Sequence, residues 1–343
     1  MKENIYQYNE QSLQEKLIAM GQPKFRAKQI SQWIYTKGVT DFEQMSNLSK
    51  KLRAELEQKF QFGTLGQVIE QVSEDGTRKR LYKLDDGSLI ESVLMPYNDG
   101  RRTACISSQA GCAMGCTFCA TGQMGFKRHL SAEEIFEQAQ RYSVELQQQG
   151  ERLSNIVLMG MGEPFHNYDA VLEAIGLLRT RLGIGARKIT VSTVGIVPKI
   201  RQFAKEGIQV GLAISLHSTL NEERSAIMPV NRKYPIEDLI DACHEYAQST
   251  NRRISFEWAL INGTNDTEEE ATRLAKLLDG LLCHVNLIPL NPTKGYEGEP
   301  SDPMRIERFV RILERAGIPA TVRVRRGIDI DAGCGQLQDK VLE

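Results

Sequence analysis

The sequence predicts an α/β protein with a parallel sheet, preceded by a small helical segment and a short β-meander. From about residue 100 onward, strand-like and helix-like runs alternate, and repeated strand–helix units favour a parallel sheet with crossover helices. Residues 67–95 instead show the two-residue period of strands, and residues 1–60 show helical spacing of apolar residues.

The composition is that of a globular chain, with 41% hydrophobic and 25% charged residues among 343. This length suits one large domain with a small appendage. No apolar run approaches the roughly 20 residues that span a bilayer, and residues 1–6 lack the apolar core of a signal peptide. We therefore expect a cytoplasmic protein with no membrane contact, and a monomer.

The formal net charge of −1 argues against a nucleic-acid binder, which usually carries a basic excess. Any RNA contact must come from local basic patches, although each patch taken alone is more often a solvated face. Four candidate patches are Lys50, Lys51 and Arg53; Arg101 and Arg102; Lys127, Arg128 and His129; and Arg323, Arg325 and Arg326.

The helical segment is expected to contain three helices. Ser12 is a candidate cap for the first, which ends at Gly21, and Pro23 opens the second. The third carries apolar residues at helical spacing, namely Leu48, Leu52, Leu56 and Phe60.

The β-meander has two type I′ hairpin sequences, Asp75-Gly76 and Asp86-Gly87. Its third strand places Glu91 on one face with Leu89, Val93 and Met95. If that face is buried, desolvation raises the pKa of the carboxyl group and makes it a better base near neutral pH. The pattern leaves equally open that Glu91 is exposed to solvent.

The alternating region gives specific elements. Candidate strands are 103–109, 154–159, 187–193, 210–216, 253–260, 283–289 and 319–324, and candidate helices are 131–148, 168–181, 234–249, 267–279 and 304–316. In parallel α/β architectures, ligands bind at the carboxyl ends of strands. Polar or glycine residues stand at four such ends: Gly160 to Pro164, Ser192 to Gly195, Ser215 to Ser218, and Asn291.

Three of the seven cysteines, Cys112, Cys116 and Cys119, form a C-x3-C-x2-C motif. Three thiolates on one loop can hold three irons of a 4Fe–4S cluster and leave the fourth iron open to a ligand. The alternative is a zinc site with His129 as the fourth ligand, although the paired C-x2-C motif typical of structural zinc sites is absent.

The other cysteines divide into two kinds. Cys243 and Cys283 fall in apolar patterns and are expected to be buried small hydrophobes. Cys105 lies in the strand that leads into the three-cysteine loop, and Cys334 lies between Gly333 and Gly335 in what we expect to be a mobile loop. Either thiol, considered alone, is more often inert than reactive.

Several motifs together resemble one family. The cysteine spacing matches the radical-SAM signature, and its two flanks and two further stretches resemble the RlmN/Cfr family of radical-SAM RNA adenosine methyltransferases almost end to end. The stretches are residues 104–109, 120–126, 160–164 and 331–337. Gly333 is a departure, because the family more often has Ala there.

The resemblance implies that six strand–helix units curve into a partial TIM-like (β/α)6 radical-SAM barrel. It divides the chain into an N-terminal helical RNA-docking domain (1–62), a β-meander extension carrying Glu91 (63–97), the barrel (98–327) and a C-terminal loop and tail carrying Cys334 (328–343).

The resemblance also assigns roles to residues. Glu91 takes the position of the family's general base, and Cys105 and Cys334 take those of its two redox-active cysteines. Cys112, Cys116 and Cys119 would hold one 4Fe–4S cluster. Contacts to S-adenosyl-L-methionine (SAM) fall on Gly162, Glu163, Ser192, Ser215, Leu216, His217 and Asn291.

The implied activity is methylation of adenosine C2 in 23S ribosomal RNA, and in transfer RNA, through a methylated Cys334 and a transient disulfide. A low-potential donor such as flavodoxin or ferredoxin would supply electrons. Three alternatives remain open: methylation of C8 in 23S rRNA, which the Cfr branch performs and which confers antibiotic resistance; a radical-SAM reaction on a small molecule or peptide; and a zinc-stabilised RNA-binding protein without catalysis.

Overall fold

The computed structural model describes residues 2–338. Met1, in the predicted N-terminal domain, and residues 339–343, in the predicted C-terminal loop and tail, lie outside this range. The strands are β1 Glu3–Asn4, β2 Phe60–Gln61, β3 Gly66–Val72, β4 Arg78–Lys83, β5 Leu89–Pro96, β6 Arg102–Cys105, β7 Gln109–Gly111, β8 Phe126–His129, β9 Asn155–Leu158, β10 Ile189–Thr193, β11 Gly211–Ser215, β12 Ile254–Leu260, β13 Cys283–Pro289 and β14 Ala320–Val322. The α-helices are α1 Glu10–Ala19, α2 Phe25–Ser31, α3 Lys50–Lys59, α4 Ala120–Gln123, α5 Ala132–Gln148, α6 Tyr168–Arg181, α7 Val197–Lys205, α8 Asn221–Ile227, α9 Ile236–Thr250, α10 Glu268–Leu277 and α11 Pro303–Arg315.

A ten-stranded sheet forms the centre of the molecule, in the order β14-β13-β12-β11-β10-β9-β6-β5-β4-β3. In this order, neighbouring strands from β14 to β6 pair in parallel, and neighbouring strands from β6 to β3 pair antiparallel. Six helical connections join the parallel strands, so the predicted α/β barrel of six strand–helix units, extended by a β-meander, is confirmed.

The central strands β11 and β12 are largely buried on both faces, which explains their apolar sequences. In β12, every residue except Ser255 is buried. Helix α5 packs beside the sheet and begins with a capping box, in which Ser131 and Glu134 bond each other's backbone N–H groups. One hydrophobic core therefore runs from the N-terminal helices through the barrel.

The predicted elements of the barrel are largely correct, with one strand misread. Segment 103–109 was expected to be one strand but forms β6 and β7, because side chains replace the ladder bonds between them. The N–H of Ser107 donates to Oε1 of Gln138 (2.8 Å), and its hydroxyl donates to the carbonyl of Glu91 (2.5 Å). Helices α7 and α8 were not predicted.

In the N-terminal segment, the predicted cap of the first helix is wrong. The side chain of Asn9, not Ser12, accepts the capping bond from the N–H of Ser12 (2.8 Å). Leu48 and Phe60 are buried as expected but lie just outside α3, which Ser49 caps.

The N-terminal segment packs directly on the barrel. Tyr6 meets Phe136 of α5 edge to face at 5.7 Å, and buried Glu137 accepts the N–H groups of Thr64 (2.7 Å) and Leu65 (3.2 Å). The proposed domain boundaries remain predictions. Within residues 2–338, no helix has the length and apolar character needed to cross a membrane.

Candidate active site

The carboxyl ends of the parallel strands surround one cavity, here called the strand-end cavity. Six of the seven residues predicted to contact SAM line it: Gly162, Glu163, Ser192, Ser215, His217 and Asn291. Cys116, Cys119 and Cys334 line it as well. The seventh, Leu216, is fully buried beside the cavity and does not line it. The sheet thus brings together residues that are more than 100 positions apart.

Glu163 is held rigidly at the end of β9. Its two carboxylate oxygens accept the N–H groups of Phe165 (2.9 Å) and Val194 (2.9 Å). Burial raises the pKa of this carboxyl to about 7, and its hydrogen bonds act in the opposite direction. The preceding Gly162 has φ +99° and lies so close to Gln109 that a side chain would clash.

His217 is a neutral imidazole with a defined tautomer. Its Nδ1 accepts the N–H of Ala259 (2.8 Å), so Nε2 carries the proton and is a donor. Burial, and to a smaller extent the charge of the nearby Arg224, lower the pKa of His217 to about 3. Its backbone has φ +62°, a left-handed conformation held by a bond from Nδ2 of Asn265 to the His217 carbonyl (2.8 Å).

The three-cysteine loop borders this cavity. Cys112 and Cys116 are buried and Cys119 is half-buried. Burial raises the pKa of all three thiols, that of Cys112 to about 12. Within the described residues, no three His, Cys, Asp or Glu side chains converge on a position for a single metal ion. His129, the zinc ligand considered above, is bonded to Nε2 of Gln109 instead (3.0 Å).

Cys105 and Cys334 line a second cavity, here called the cysteine cavity, together with Arg323. Both thiols are free, and Cys334 faces the strand-end cavity as well. Burial raises the pKa of Cys105 to about 12 and that of Cys334, while the Arg323 guanidinium opposes both shifts. Cys243 and Cys283 are buried in the core, as predicted.

Hydrogen bonds hold the segment on both sides of Cys334, and the mobility predicted for this loop stays a prediction. Nδ2 of Asn291 donates to the carbonyl of Cys334 (3.1 Å), and the N–H of Ala120 donates to that of Gly335 (2.7 Å). Two residues later, the hydroxyl of Thr121 donates to the carbonyl of Leu337 (2.7 Å). Cys334 therefore lines the two cavities from a backbone whose position is fixed by hydrogen bonds.

Glu91 is buried, as one of the two interpretations of its strand predicted, with 3% of its surface exposed. Its carboxylate lies 3.2 Å from Nζ of Lys79 and accepts the N–H of Gln338 (2.9 Å). Burial raises the pKa of Glu91, and Lys79 opposes the shift. Glu91 lines neither cavity, because the C-terminal segment occupies its hydrogen-bonding side.

Comparison with known proteins accounts for this combination. Residues 3–62 match the family model described as the ribosomal RNA large subunit methyltransferase N-terminal domain, and residues 106–275 match the radical SAM superfamily. The chain is 48% identical over 341 residues to the probable dual-specificity RNA methyltransferase RlmN of Geobacillus kaustophilus, covering 98% of this chain and 93% of that one. It is 47% identical to dual-specificity RNA methyltransferase RlmN 1 of Myxococcus xanthus, covering 98% and 95%.

The chain belongs to the RlmN family of radical-SAM RNA methyltransferases. The fold agrees: a crystal structure of a radical SAM methyltransferase from Sphaerobacter thermophilus superposes with a TM-score of 0.95 at 47% identity, covering 98% of this chain and 100% of that one.

Two residues of this RlmN-family site were missed by sequence reasoning. Glu257 lines the strand-end cavity from the middle of β12, is 5% exposed, and accepts Nδ2 of Asn286 (2.8 Å). A carboxylate inside an otherwise apolar strand was the available indication. Arg323 was predicted only as part of a basic surface patch, yet it lines the cysteine cavity together with Cys105 and Cys334.

Proposed function

We propose that this RlmN-family protein methylates C2 of adenosine in 23S ribosomal RNA and in transfer RNA through a methylated Cys334. The observation that carries the proposal is that Cys334 lines both cavities, so one thiol faces the predicted SAM site and Cys105 together. The relatives named dual-specificity RNA methyltransferases support the two RNA classes.

Cys112, Cys116 and Cys119 fit a 4Fe–4S cluster. They supply three thiols from one loop, and two of them, Cys116 and Cys119, line the strand-end cavity. A bound cluster supplies the electron that cleaves SAM to a 5′-deoxyadenosyl radical. The rest of SAM has suitable partners in the strand-end cavity, namely the Glu163 carboxylate, the hydroxyls of Ser192 and Ser215, and the neutral His217 donor.

The cysteines act at the beginning and end of the reaction. The Cys334 thiolate first accepts a methyl group from one SAM, forming an S–C bond and releasing S-adenosylhomocysteine. A hydrogen atom passes from that methyl to the 5′-deoxyadenosyl radical, giving 5′-deoxyadenosine and a carbon radical, which adds to C2 of adenine. The adduct loses the C2 proton to a base and one electron, which would return to the bound cluster. Cys105 thiolate then attacks the Cys334 sulfur, forming a disulfide as the S–C bond breaks, and the released carbon takes up a proton to become the methyl group on C2. A reductant regenerates both thiols.

Glu91 removes the proton from C2 in this scheme. Its raised pKa suits a base near neutral pH. Because Gln338 and Lys79 occupy its carboxylate here, we infer that the C-terminal segment shifts when RNA enters.

Further expectations complete the proposal. The N-terminal segment that matches the family's N-terminal domain docks RNA. The protein works in the cytoplasm as a monomer, with flavodoxin or ferredoxin as the electron donor.

Nucleoside mass spectrometry tests the proposal directly. Reconstituted protein is incubated anaerobically with SAM, a reductant and unmodified 23S rRNA fragments or transfer RNA, with Cys334→Ala as the inactive control. The expected product is 2-methyladenosine in both RNAs. A peak of 8-methyladenosine would keep the mechanism and move the reaction to C8. Abundant 5′-deoxyadenosine without either product would refute RNA as the substrate.

A further inference from the structure

Two basic patches that are more than 200 residues apart in sequence meet at one aromatic ring. The guanidinium carbon of Arg101 lies 4.4 Å from the centre of the Tyr97 ring, and that of Arg326 lies 4.5 Å from it. Tyr97 and Arg326 both line the cysteine cavity. We call the three side chains the Arg101–Tyr97–Arg326 stack.

The backbone presents the stack at the edge of the cavity. Tyr97 begins the connection out of β5, and the turn closes with the Tyr97 N–H donating to the carbonyl of Arg101 (2.9 Å). Arg326 comes from the segment after β14 and lines the same cavity. The stack therefore joins two chain segments that border the space containing Cys105 and Cys334.

Acidic partners neutralise the stack only weakly. Arg326 lies 3.9 Å from Asp75, whose oxygens already accept the N–H groups of Thr77 (2.8 Å) and Gly327 (3.2 Å), and its Nε is buried without a partner. Arg101 pairs with Asp99, but 48% of the arginine side chain is exposed. Neighbouring Arg325 also lines the cavity, and the part of the chain that is described gives its side chain no hydrogen bond or ion pair.

Several other arginines of the predicted basic patches have carboxylate partners. Arg128 pairs with both Asp86 and Glu134, Arg53 with Glu43, and Arg102 with Glu151. The stack thus combines positive charge that is only partly neutralised with a position at the cavity that contains Cys105 and Cys334. Stacking on Tyr97 fixes the orientation of the guanidinium groups, which present paired N–H donors suited to phosphate oxygens.

We propose that the Arg101–Tyr97–Arg326 stack, with Arg325, binds backbone phosphates of RNA next to the adenosine that is methylated. Phosphate contacts position a nucleic acid without reading its sequence. Bound here, the RNA backbone would be held while its target base reaches Cys334. This inference rests on the proposed function, because it takes RNA as the substrate.

The test measures RNA affinity for the reconstituted full chain at several salt concentrations. We compare Arg101→Ala, Arg326→Ala and the double variant with Arg201→Ala. This matched control removes an exposed arginine of α7 that pairs with Glu245. Each lost phosphate contact lowers affinity roughly fourfold at 0.15 M salt and reduces the salt slope by about 0.7. The double variant is expected to bind about fifteenfold more weakly, from the same relation, and Arg201→Ala to bind normally.

Two further measurements separate RNA binding from a structural role. Formation of 5′-deoxyadenosine without RNA should be unchanged in every variant, as should kcat at saturating RNA, while KM for RNA rises. Tyr97→Phe keeps the ring and should bind normally, whereas Tyr97→Ala should bind more weakly. Unchanged affinity and salt slope in the double variant would overturn the inference, as would weaker binding with an unchanged slope. If the wild-type protein neither binds nor methylates RNA, the proposed function itself fails.

Discussion

The two sides of the candidate active site are built in different ways. On the strand-end side, parallel β-strands place Glu163, Ser192 and Ser215 at neighbouring positions along one edge of the sheet. On the other side, the described part of the C-terminal segment, residues 328–338, contains only a short 3-10 helix. Its position depends on side-chain bonds to distant residues.

The bonds to the C-terminal segment come from both the β-meander and the barrel. Ser73 donates to the Asp329 carboxylate (2.5 Å), Lys79 to the carbonyl of Asp331 (3.3 Å), and Gln336 to the carbonyl of Pro292 (3.1 Å). Strand ends share the stability of the sheet, whereas a segment held by separate side-chain bonds can open locally at lower cost. We infer that the strand-end side is rigid and that the Cys334 side moves during the reaction.

The largest expected effect comes from the strand-end side. Replacing one thiol with Cys116→Ala removes one of three proposed ligands, so cluster binding and all activity should be lost. Iron content and visible absorbance after anaerobic reconstitution measure the first, and 5′-deoxyadenosine formation measures the second. Cys283→Ala, which removes a cysteine outside both cavities, should retain the cluster. A cluster and normal SAM cleavage in Cys116→Ala would exclude its assigned role.

Changes to the two redox cysteines should stop methylation while leaving the strand-end side intact. Cys334→Ala should still bind the cluster and SAM and form 5′-deoxyadenosine, but should not methylate RNA. Cys105→Ala should methylate Cys334 and then accumulate a covalent protein–RNA adduct, because no thiol releases it. Denaturing gels with labelled RNA detect the adduct. Free methylated RNA formed at the normal rate by Cys105→Ala would contradict the role of Cys105.

Loosening the Cys334 segment without touching a cysteine should have a smaller effect. Gln336 is 4% exposed, accepts the N–H of Gly333 (3.0 Å) and donates to Pro292 and Asp331. Gln336→Ala removes these bonds, each contributing about 1 kcal/mol. The held conformation then loses between about 1.4 kcal/mol and about 3 kcal/mol relative to opened ones, so methylation should fall by roughly tenfold to a hundredfold while SAM affinity stays normal.

Hydrogen exchange provides a direct measure of that loosening. Residues 333–338 should exchange faster in Gln336→Ala, and those of β10 and β11 should not. Gln202→Ala, which removes an exposed glutamine on α7, is the matched control. Faster exchange on both sides of the site would mean that the two sides open together and that the comparison is wrong.

The contrast also explains what could be predicted from sequence. The parallel strands and helix α6 could be predicted because their buried positions appear in the sequence as apolar runs or as regularly spaced apolar residues. The break at Ser107 could not be predicted, since it depends on the bonds to Gln138 and the carbonyl of Glu91. The Asn9 cap was missed because Ser12 is an equally good capping residue by type.

The site divides along the same line. Polar residues at strand ends could be placed together from the rule for parallel sheets, and six of them line one cavity. The burial of Glu91 was one of two open interpretations, and its contact with Gln338 depends on a separation of 247 residues. Arg326 and Tyr97 are likewise brought together only by tertiary structure. Local pattern carries no information about such pairs.

The smallest predicted effect tests the rigidity of the strand-end side through His217. Its folded pKa of about 3 lies below the unfolded value of 6.5, so between these values the unfolded state binds one more proton than the folded state. Stability should therefore fall as pH decreases from about 6.5 toward 3, by about 1.4 kcal/mol at pH 5.5 relative to pH 7.5. His217→Asn keeps an acceptor for the Ala259 N–H and suits the left-handed backbone, but it cannot titrate. Thermal unfolding of the variant should depend less on pH across this window than that of the wild type, and the gap between their slopes should vanish above pH 7.5. Equal slopes in both proteins throughout the window would show that His217 reaches solvent or accepts a proton in the folded state, and that the strand-end side opens as readily as the Cys334 segment.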